Sequence, residues 1–470
     1  MAQTKRDNLQ GRKVIYTDFR EIDRNNILDI LKQASRTHDQ NSKDIDYLYK
    51  YYKGDQPILN REKTYRDDIN NKIVENRANE IVSFKVGYLM GEPIQYVNQG
   101  DDEYSKTISR LNDYMRYEDK DVKDKALVTW NTICGTGYRL ILPDDATDRL
   151  PDEAPFEIYT LDPRKTFVVY YSGLGEPPVM GVMEMTTEEG EKKYVGYTEA
   201  YAFEIIGDQI TKWENHILRE VPIIEYPANE ARLGAFEIVL PLLDGLNDIQ
   251  SNRLDSIAQI VDAILVLKGT DAEDEDFQKA KEIGGIKIPA DGDAFYLSTV
   301  INQTETQALV DYIYDSILTI CGMPNRNGGS STSDTGSAVI YRDGWWAAES
   351  RARSQEGMFK GSERTFLRLA TRLTNASATE YPDIRTSHIE IRFTRRNYEN
   401  IQEKSQVLIS MLNNTRIHPK LAFEHSGMFV DPEIAYKMSE DFYEQNIEKE
   451  AQALDVFTQS EIERDKQVAE

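Results

Sequence analysis

Two groups of carboxylates in this chain have the residue types for joint chemistry. Asp271, Glu273, Asp274, Glu275 and Asp276 form one acidic run, and Asp248, Asp255 and Asp262 recur every seven residues beside Asp244. The reaction open to such groups is two-metal phosphodiester hydrolysis, in which carboxylates hold a pair of cations against the attacking and leaving oxygens. That reaction needs ligands converging from separate elements. A contiguous run instead reads as a solvated loop, and acids seven apart lie on one line of a helix and read as its wet face. Histidine adds little: residues 38, 216, 388, 418 and 425 make no HxH or HExxH, and a proline separates His418 from His425. Gly135-Thr-Gly137 is a lone GxG, better suited to a helix-to-strand turn than to a phosphate cradle. Cys134 and Cys321 have no CxxC partner and read as buried thiols in a reducing cytosol. Neither a metal site nor a cofactor is expected.

The balance of 81 acidic against 56 basic residues, a net charge of −25 over 470 residues, disfavours general adhesion to nucleic acid or to anionic membrane. Any DNA contact must be local or topological. Met1 to Lys13 is polar, and the apolar run Ala263 to Leu267 is too short for a bilayer, so the expectation is a chain neither secreted nor membrane-spanning. With 40% apolar residues there is material for two to four domains or one elongated multi-part subunit.

The elements that must position these residues follow from periodicity. Short helices are predicted over 21–37 and 41–52, a stronger one from Asn71 to Met90, and helical pattern again over 105–133. From Gly137 to Tyr226 the rhythm alternates, with strands at Tyr138–Leu142, Phe156–Tyr159, Thr166–Tyr171, Val179–Met185, Tyr194–Tyr201 and Val221–Tyr226. Residues 1–235 thus read as a mixed α+β lobe, to which 377–397 returns through a strand at 388–394. A long amphipathic rod over 236–267 would span roughly 45 Å. A return helix over 302–321 opens with the capping-box pattern Thr304 to Gln307, buries Leu309, Val310, Ile313, Tyr314, Ile317 and Leu318, and stops at Gly322. Between the rods, 268–301 carries the acidic run and a strand–turn–strand signal, Ile286–Ile288 and Ala294–Leu297.

Residues 322–336, rich in Gly, Ser, Thr and Asn, read as a mobile loop. A long helix over 337–376 follows, with Gly344, Gly357 and Gly361 as kink points. Glu349, Glu356 and Glu363 recur along it every seven residues beside Arg342, Arg353, Lys360 and Arg364. These stripes suit either a self-paired wet surface or pairing with a neighbouring copy of the same helix. Residues 398–470 are helical and charged, interrupted near His418-Pro419 and Asp431-Pro432.

Several phrases in chain order resemble the phage portal protein family of the SPP1 gp6-like type. They are Tyr51-Tyr-Lys-Gly54, Asn71-Lys-Ile-Val74, Val86-Gly-Tyr-Leu-Met-Gly-Glu-Pro93, Gly135-Thr-Gly-Tyr138 and Leu161-Asp-Pro-Arg164 running into Phe167-Val-Val-Tyr170. Val221-Pro-Ile-Ile-Glu-Tyr226, Phe236-Glu237, Asp262-Ala-Ile-Leu-Val-Leu-Lys-Gly269 and Gly336-Ser-Ala338 follow. The resemblance spans roughly 45–375. It implies an elongated α+β subunit of a ring of about twelve copies. Its parts would be a wing (1–235 with 377–397), a two-helix stem (236–267 and 302–321), a clip (268–301), a tunnel loop (322–336), a long kinked helix (337–376) and a helical crown (398–470).

By the same resemblance the ring stands at one capsid vertex of a virion, assembled in the host cytoplasm. It passes double-stranded DNA during packaging and ejection without sequence readout. Its partners would be major capsid and scaffolding proteins, the terminase large subunit and a head–tail adaptor. Asn325, Arg326, Asn327, Ser330, Ser331 and Thr332 would touch DNA from the loop. Asp244, Asp248, Asp255 and Asp262 would form an acidic stem face, and Asp271, Glu273, Asp274 and Asp276 would meet partners at the clip. The alternatives are a metal-dependent nuclease built on the clustered carboxylates and a non-ring helical scaffold or adaptor.

Overall fold

The structure, a computed structural model, describes residues 9, 11–64, 67–144, 150, 153–261, 264–268, 293–297, 303–325, 344–377, 382–394, 401–429, 432 and 435–447. Two sheets and the helices packed on them make a mixed α/β body. The larger sheet has the order β1 (Ile15–Thr17), β5 (Thr166–Tyr171), β6 (Pro178–Thr186), β7 (Lys192–Thr198), β8 (Tyr201–Ile206), β9 (Gln209–Asn215). Among the described strands only β1 pairs in parallel, with β5. Alternation in β5 serves two cores. Phe167 and Val169 pack with Ile30, Leu31 and Ala34 of α1 (Ile27–Lys53), while Val168 and Tyr170 pack with Tyr138 and Ile223 of the smaller sheet. That sheet has the order β10 (Ile223–Pro227), β3 (Thr136–Pro143), β4 (Phe156–Leu161).

Several expected boundaries move, each for a packing reason. α1 is one helix where two were expected, because Ile45, Leu48 and Tyr51 continue the buried stripe of Ile27, Ile30 and Leu31 across the polar middle. α2 runs Arg77–Leu89 rather than from Asn71; Asn76 caps it, accepting from the Asn79 backbone N–H at 3.2 Å. Residues 71–75 are extended instead. The expected strand Tyr194–Tyr201 is two, β7 and β8, turned at Thr198, whose hydroxyl accepts from the Ala200 and Tyr201 N–H groups. α3 (Ser105–Tyr117) and α4 (Lys120–Cys134) are separated at Asp119, which adopts φ 48°.

Gly135 ends α4 with φ 84°, and a Cβ there would stand 1.9 Å from the Arg232 carbonyl oxygen, so only glycine fits. The Gly135-Thr-Gly137 phrase is therefore the helix-to-strand turn expected of it. Glu237, at the head of the next helix, accepts from the Gly11 and Gly234 N–H groups and pairs with Arg12 at 2.9 Å. This buried cluster ties the start of the chain to the foot of the first rod.

That rod, α5 (Leu240–Val261), is shorter than the predicted 236–267. Ile264–Lys268 forms β11, antiparallel to β12 (Asp293–Leu297), with Ile264 opposite Leu297 and Lys268 opposite Asp293. The branched and apolar residues there suit a strand as well as a helix, and a cross-strand partner decides between them. The other expected strand of this region, Ile286–Ile288, lies outside the described residues.

α6 (Gln303–Cys321) includes Thr304 within the helix, so Thr304 is not its cap. α7 (Trp345–Ser377) continues without interruption through Gly357 and Gly361, and Gly344 precedes it at φ 83° rather than kinking it. Residues 337–343 lie outside the described set. Phe359, Phe366, Leu369 and Ala370 of α7 pack with Leu111 of α3 and Leu127 of α4 in the largest core. Each buried phenyl ring there contributes about 2–3 kcal/mol. β13 (Ile389–Arg392) returns to pair with β2 (Gln95–Asn98), as the expected strand at 388–394 requires. α8 (Ile401–Leu412) and α9 (Pro419–Ser426) follow; His418 caps α9, while Asp431 lies outside the described residues.

Candidate assembly and channel surfaces

The two rods run antiparallel. Val239, Leu240 and Leu243 of the first meet Ile317, Leu318 and Cys321 of the second in one core. Arg253 donates to Gln303 at 2.7 Å and to Gln307 at 2.8 Å. β11 and β12 pair beyond the far end of α5.

The opposite side of α5 carries a strap, residues 56–64 and 67–75, whose first part runs up the helix and whose second runs back. Asn247, Ser251 and Asp255 accept the backbone N–H groups of Glu75 (2.8 Å), Ile73 (3.0 Å) and Asn71 (2.7 Å). The match is geometric: four helix residues advance about 6 Å, two extended residues about 6.6 Å. Gln56 accepts from Asn247 at 2.6 Å, and Arg61 bonds Asn252.

These contacts correct the acidic stem face. Asp255 is 2% exposed and accepts from Lys63, Asn71 and, at 3.2 Å, Arg61. Burial would raise its carboxyl pKa, but Lys63 and the two Asn71 donors hold it below the ordinary carboxylate value. Asp244 accepts from the Tyr51 hydroxyl at 2.7 Å. Asp248 is half-buried and Asp262 lies outside the described residues. A seven-residue spacing reports a line on a helix and says nothing of which surface covers that line.

The outer side of α6 exposes three large apolar side chains among polar ones. Leu309, predicted buried, is 48% exposed, Tyr312 is 71% and Ile320 is 39%. Val310, Ile317 and Leu318 hold the inner side as predicted.

The end of α6 is built rather than mobile. Gly322 turns at φ 64°, with Arg351 so close that a Cβ would stand 2.4 Å from its Cδ, and Arg351 donates to the Ile320 carbonyl at 2.5 Å. Cations favour helix C-termini for this reason. Met323 and Pro324 are buried, and Asn325 donates to Asp315 at 3.0 Å. A Cβ at Gly344 would stand 3.6 Å from both the Met323 oxygen and Pro324 Cα, so the chain departs at Asn325 and re-enters at the same place. Arg326, Asn327, Ser330, Ser331 and Thr332 lie outside the described residues, as do Arg342, Asp271, Glu273, Asp274 and Asp276.

On α7 the charge stripes divide. Glu349 accepts from Arg353 (2.8 Å) and Tyr88 (2.9 Å), Glu356 pairs with Lys360 (2.6 Å), and Arg364 is exposed. Glu363 does not belong to that surface. Wholly buried, it meets Lys120 at 2.8 Å and Arg139 at 3.2 Å, and accepts from Tyr96 (2.5 Å) and Tyr226 (2.7 Å). Asp124 completes the cluster, pairing with Lys120 at 2.7 Å and with Arg139. Burial alone would raise the Glu363 pKa; Lys120 and Arg139 pull it down to about 2. The signal was in the sequence, since Phe359, Glu363, Phe366 and Ala370 share one core stripe at helical spacing.

Among the described residues no three or more His, Cys, Asp and Glu side chains gather as a metal site would need, and no helix is long and apolar enough to cross a membrane. Burial raises the Cys134 and Cys321 thiols, to about 12 and about 11.

The chain is 22% identical over 465 residues to the portal protein of Bacillus phage SPP1, covering 86% of this chain and 85% of that one. Among solved structures it is similar to a chain in the neck of an empty gene transfer agent particle, with 13% identity, a TM-score of 0.44, and 75% and 90% of the two chains covered. It is also similar to a chain in the virion of a native gene transfer agent particle, with 12% identity, a TM-score of 0.45, and 82% and 94% covered. The family model for phage portal proteins of the SPP1 Gp6-like type matches residues 31–455. With the match running from the first helix of the body to beyond the last, the chain belongs to that family of phage portal proteins.

Proposed function

We propose that this chain is the repeating subunit of a portal ring at one capsid vertex, a conduit for double-stranded DNA during packaging and ejection. The observation that carries the ring is the outer side of α6. Leu309, Tyr312 and Ile320 form an apolar stripe on a helix whose other side is already packed, and a neighbouring copy would remove it from water. In this reading α5 and α6 are the stem, 268–301, which includes β12, is the clip, and the crown begins at α8. The 322–336 segment, which begins beside Pro324, is the loop directed at DNA. Asn325 and Asn327 with the hydroxyls of Ser330, Ser331 and Thr332 suit it, because weak bonds to phosphate let a duplex slide. Terminase and a head–tail adaptor dock at the clip through Asp271, Glu273, Asp274 and Asp276, while capsid or scaffolding proteins meet the wing. The protein performs no covalent chemistry.

Negative-stain images and native mass of the purified chain test this. Closed rings with a central hole are the expected result. A strictly monomeric, folded product across a range of salt would overturn the reading.

A further inference from the structure

The stem is a three-layer stack in the order strap, α5, α6. Asn247, Ser251 and Asp255 face the strap, and Arg253, on the other side of α5, faces α6. Such a stack has two outer sides, one made by the strap and one by the apolar stripe of α6. A ring closes by a heterologous contact, in which one side of each copy meets the other side of the next. We propose that the strap of one subunit is the receiving surface for the α6 stripe of its neighbour, a second copy of this chain; this rests on the ring reading above.

The heights along the stem agree. Arg253 stands beside Gln303 and Gln307, so in an antiparallel pair Asn247, six residues back, is level with residues 309–313. On the strap side Gln56 meets Asn247 and Arg61 meets Asn252. Leu59, between them and 39% exposed, therefore lies at the height of Leu309 and Tyr312. Charge agrees as well. Asp311 and Asp315 flank Tyr312 on exposed positions of α6. Around Leu59 stand Lys72, whose Nζ donates to the Leu59 carbonyl at 2.8 Å, and Arg61 and Lys63, which share Asp255. Glu62 and the shared Asp255 offset part of that charge, leaving three cations against two acids. The strap is fastened to α5 by three backbone N–H groups and by the inward side chains of Gln56, Arg61 and Lys63, which leaves Leu59, Glu62 and Lys72 outward at fixed positions for another molecule.

The test is a chain carrying both Leu59→Cys and Tyr312→Cys, assembled and treated with a short bismaleimide. The native thiols, Cys134 and Cys321, are buried and serve as background in the unsubstituted chain. A ladder of covalent multimers is expected from the double variant and none from either single variant. Rings visible in images but no ladder would overturn the proposal while leaving the ring reading intact. A wild-type chain that forms no rings would overturn both. As a second measurement, Tyr312→Asp should abolish rings at concentrations where the wild type is fully assembled, with an unchanged melting temperature of the free subunit. Rings that persist in Tyr312→Asp would overturn the proposal without touching the ring reading.

Discussion

Arg139, in the middle of β3, and Glu363, in the middle of α7, meet at 3.2 Å with neither side chain reaching solvent. The pair fastens the longest helix to the body by charge in a place where apolar contact would serve. A buried ion pair is costly to desolvate, and removing one partner strands the other. Glu363→Gln should therefore lower stability by about 3–5 kcal/mol, seen as an earlier midpoint in urea unfolding. A midpoint within experimental error of the wild type would show that Asp124 satisfies both Arg139 and Lys120 unaided.

The same cluster sets a pH dependence. The Glu363 carboxyl has a folded pKa near 2 against an ordinary value of 4.5, and Asp255 is likewise held below its ordinary 3.8. A depressed folded pKa contributes stability that is present above the unfolded value and lost as pH falls through the folded one. Unfolding midpoints should hold between pH 7 and 5 and then fall steeply toward pH 2. In Glu363→Gln the fall should be shallower; an identical slope would assign the acid sensitivity elsewhere.

Asp255 makes the strap testable apart from assembly. Asp255→Ala leaves the Asn71 N–H and the Lys63 and Arg61 cations without their acceptor, a cost of about 1–3 kcal/mol for each buried group left unpaired. Hydrogen exchange should accelerate at Asn71 and Ile73 while the amides of β5 stay protected. Uniform acceleration would mean that the strap is no separate unit.

Packaging tests the loop. Replacing Asn325 and Asn327 by Lys should slow DNA packaging in a salt-dependent way, since each added phosphate contact steepens the salt response, while rings still form. Packaged DNA per head equal to wild type would leave the segment as a connector only.

Much of the fold is legible in the sequence wherever a period runs unbroken, as in β5, α6 and most of α7. It fails where tertiary partners choose between two local options. Ile264–Leu267 is strand because β12 is there to pair with it, and residues 71–75 are extended because α5 offers three acceptors at the right rise. The site residues were harder. Asp255 and Glu363 lie on evenly spaced acidic lines, and spacing alone cannot tell a wet line from one facing a buried cation. Glu363 could have been found from the phenylalanines on either side of it in the core stripe. For Asp255 no local signal existed, since its partners come from nearly two hundred residues away.

That separation matters while the chain is being made. Arg12 waits for Glu237 across 225 residues, Asn71 for Asp255 across 184, and Arg139 for Glu363 across 224. Contacts this distant in sequence close late and slowly. A nascent chain that has emerged only as far as α6 already displays Leu309 and Tyr312, yet its body still holds the cations Lys120 and Arg139 with Asp124 alone to balance them. Such a chain is an aggregation hazard rather than an assembly unit. Synthesis of α7 is then the step at which a polypeptide becomes a building block, and conditions that slow translation before Glu363 should cost soluble subunit more than those acting after it.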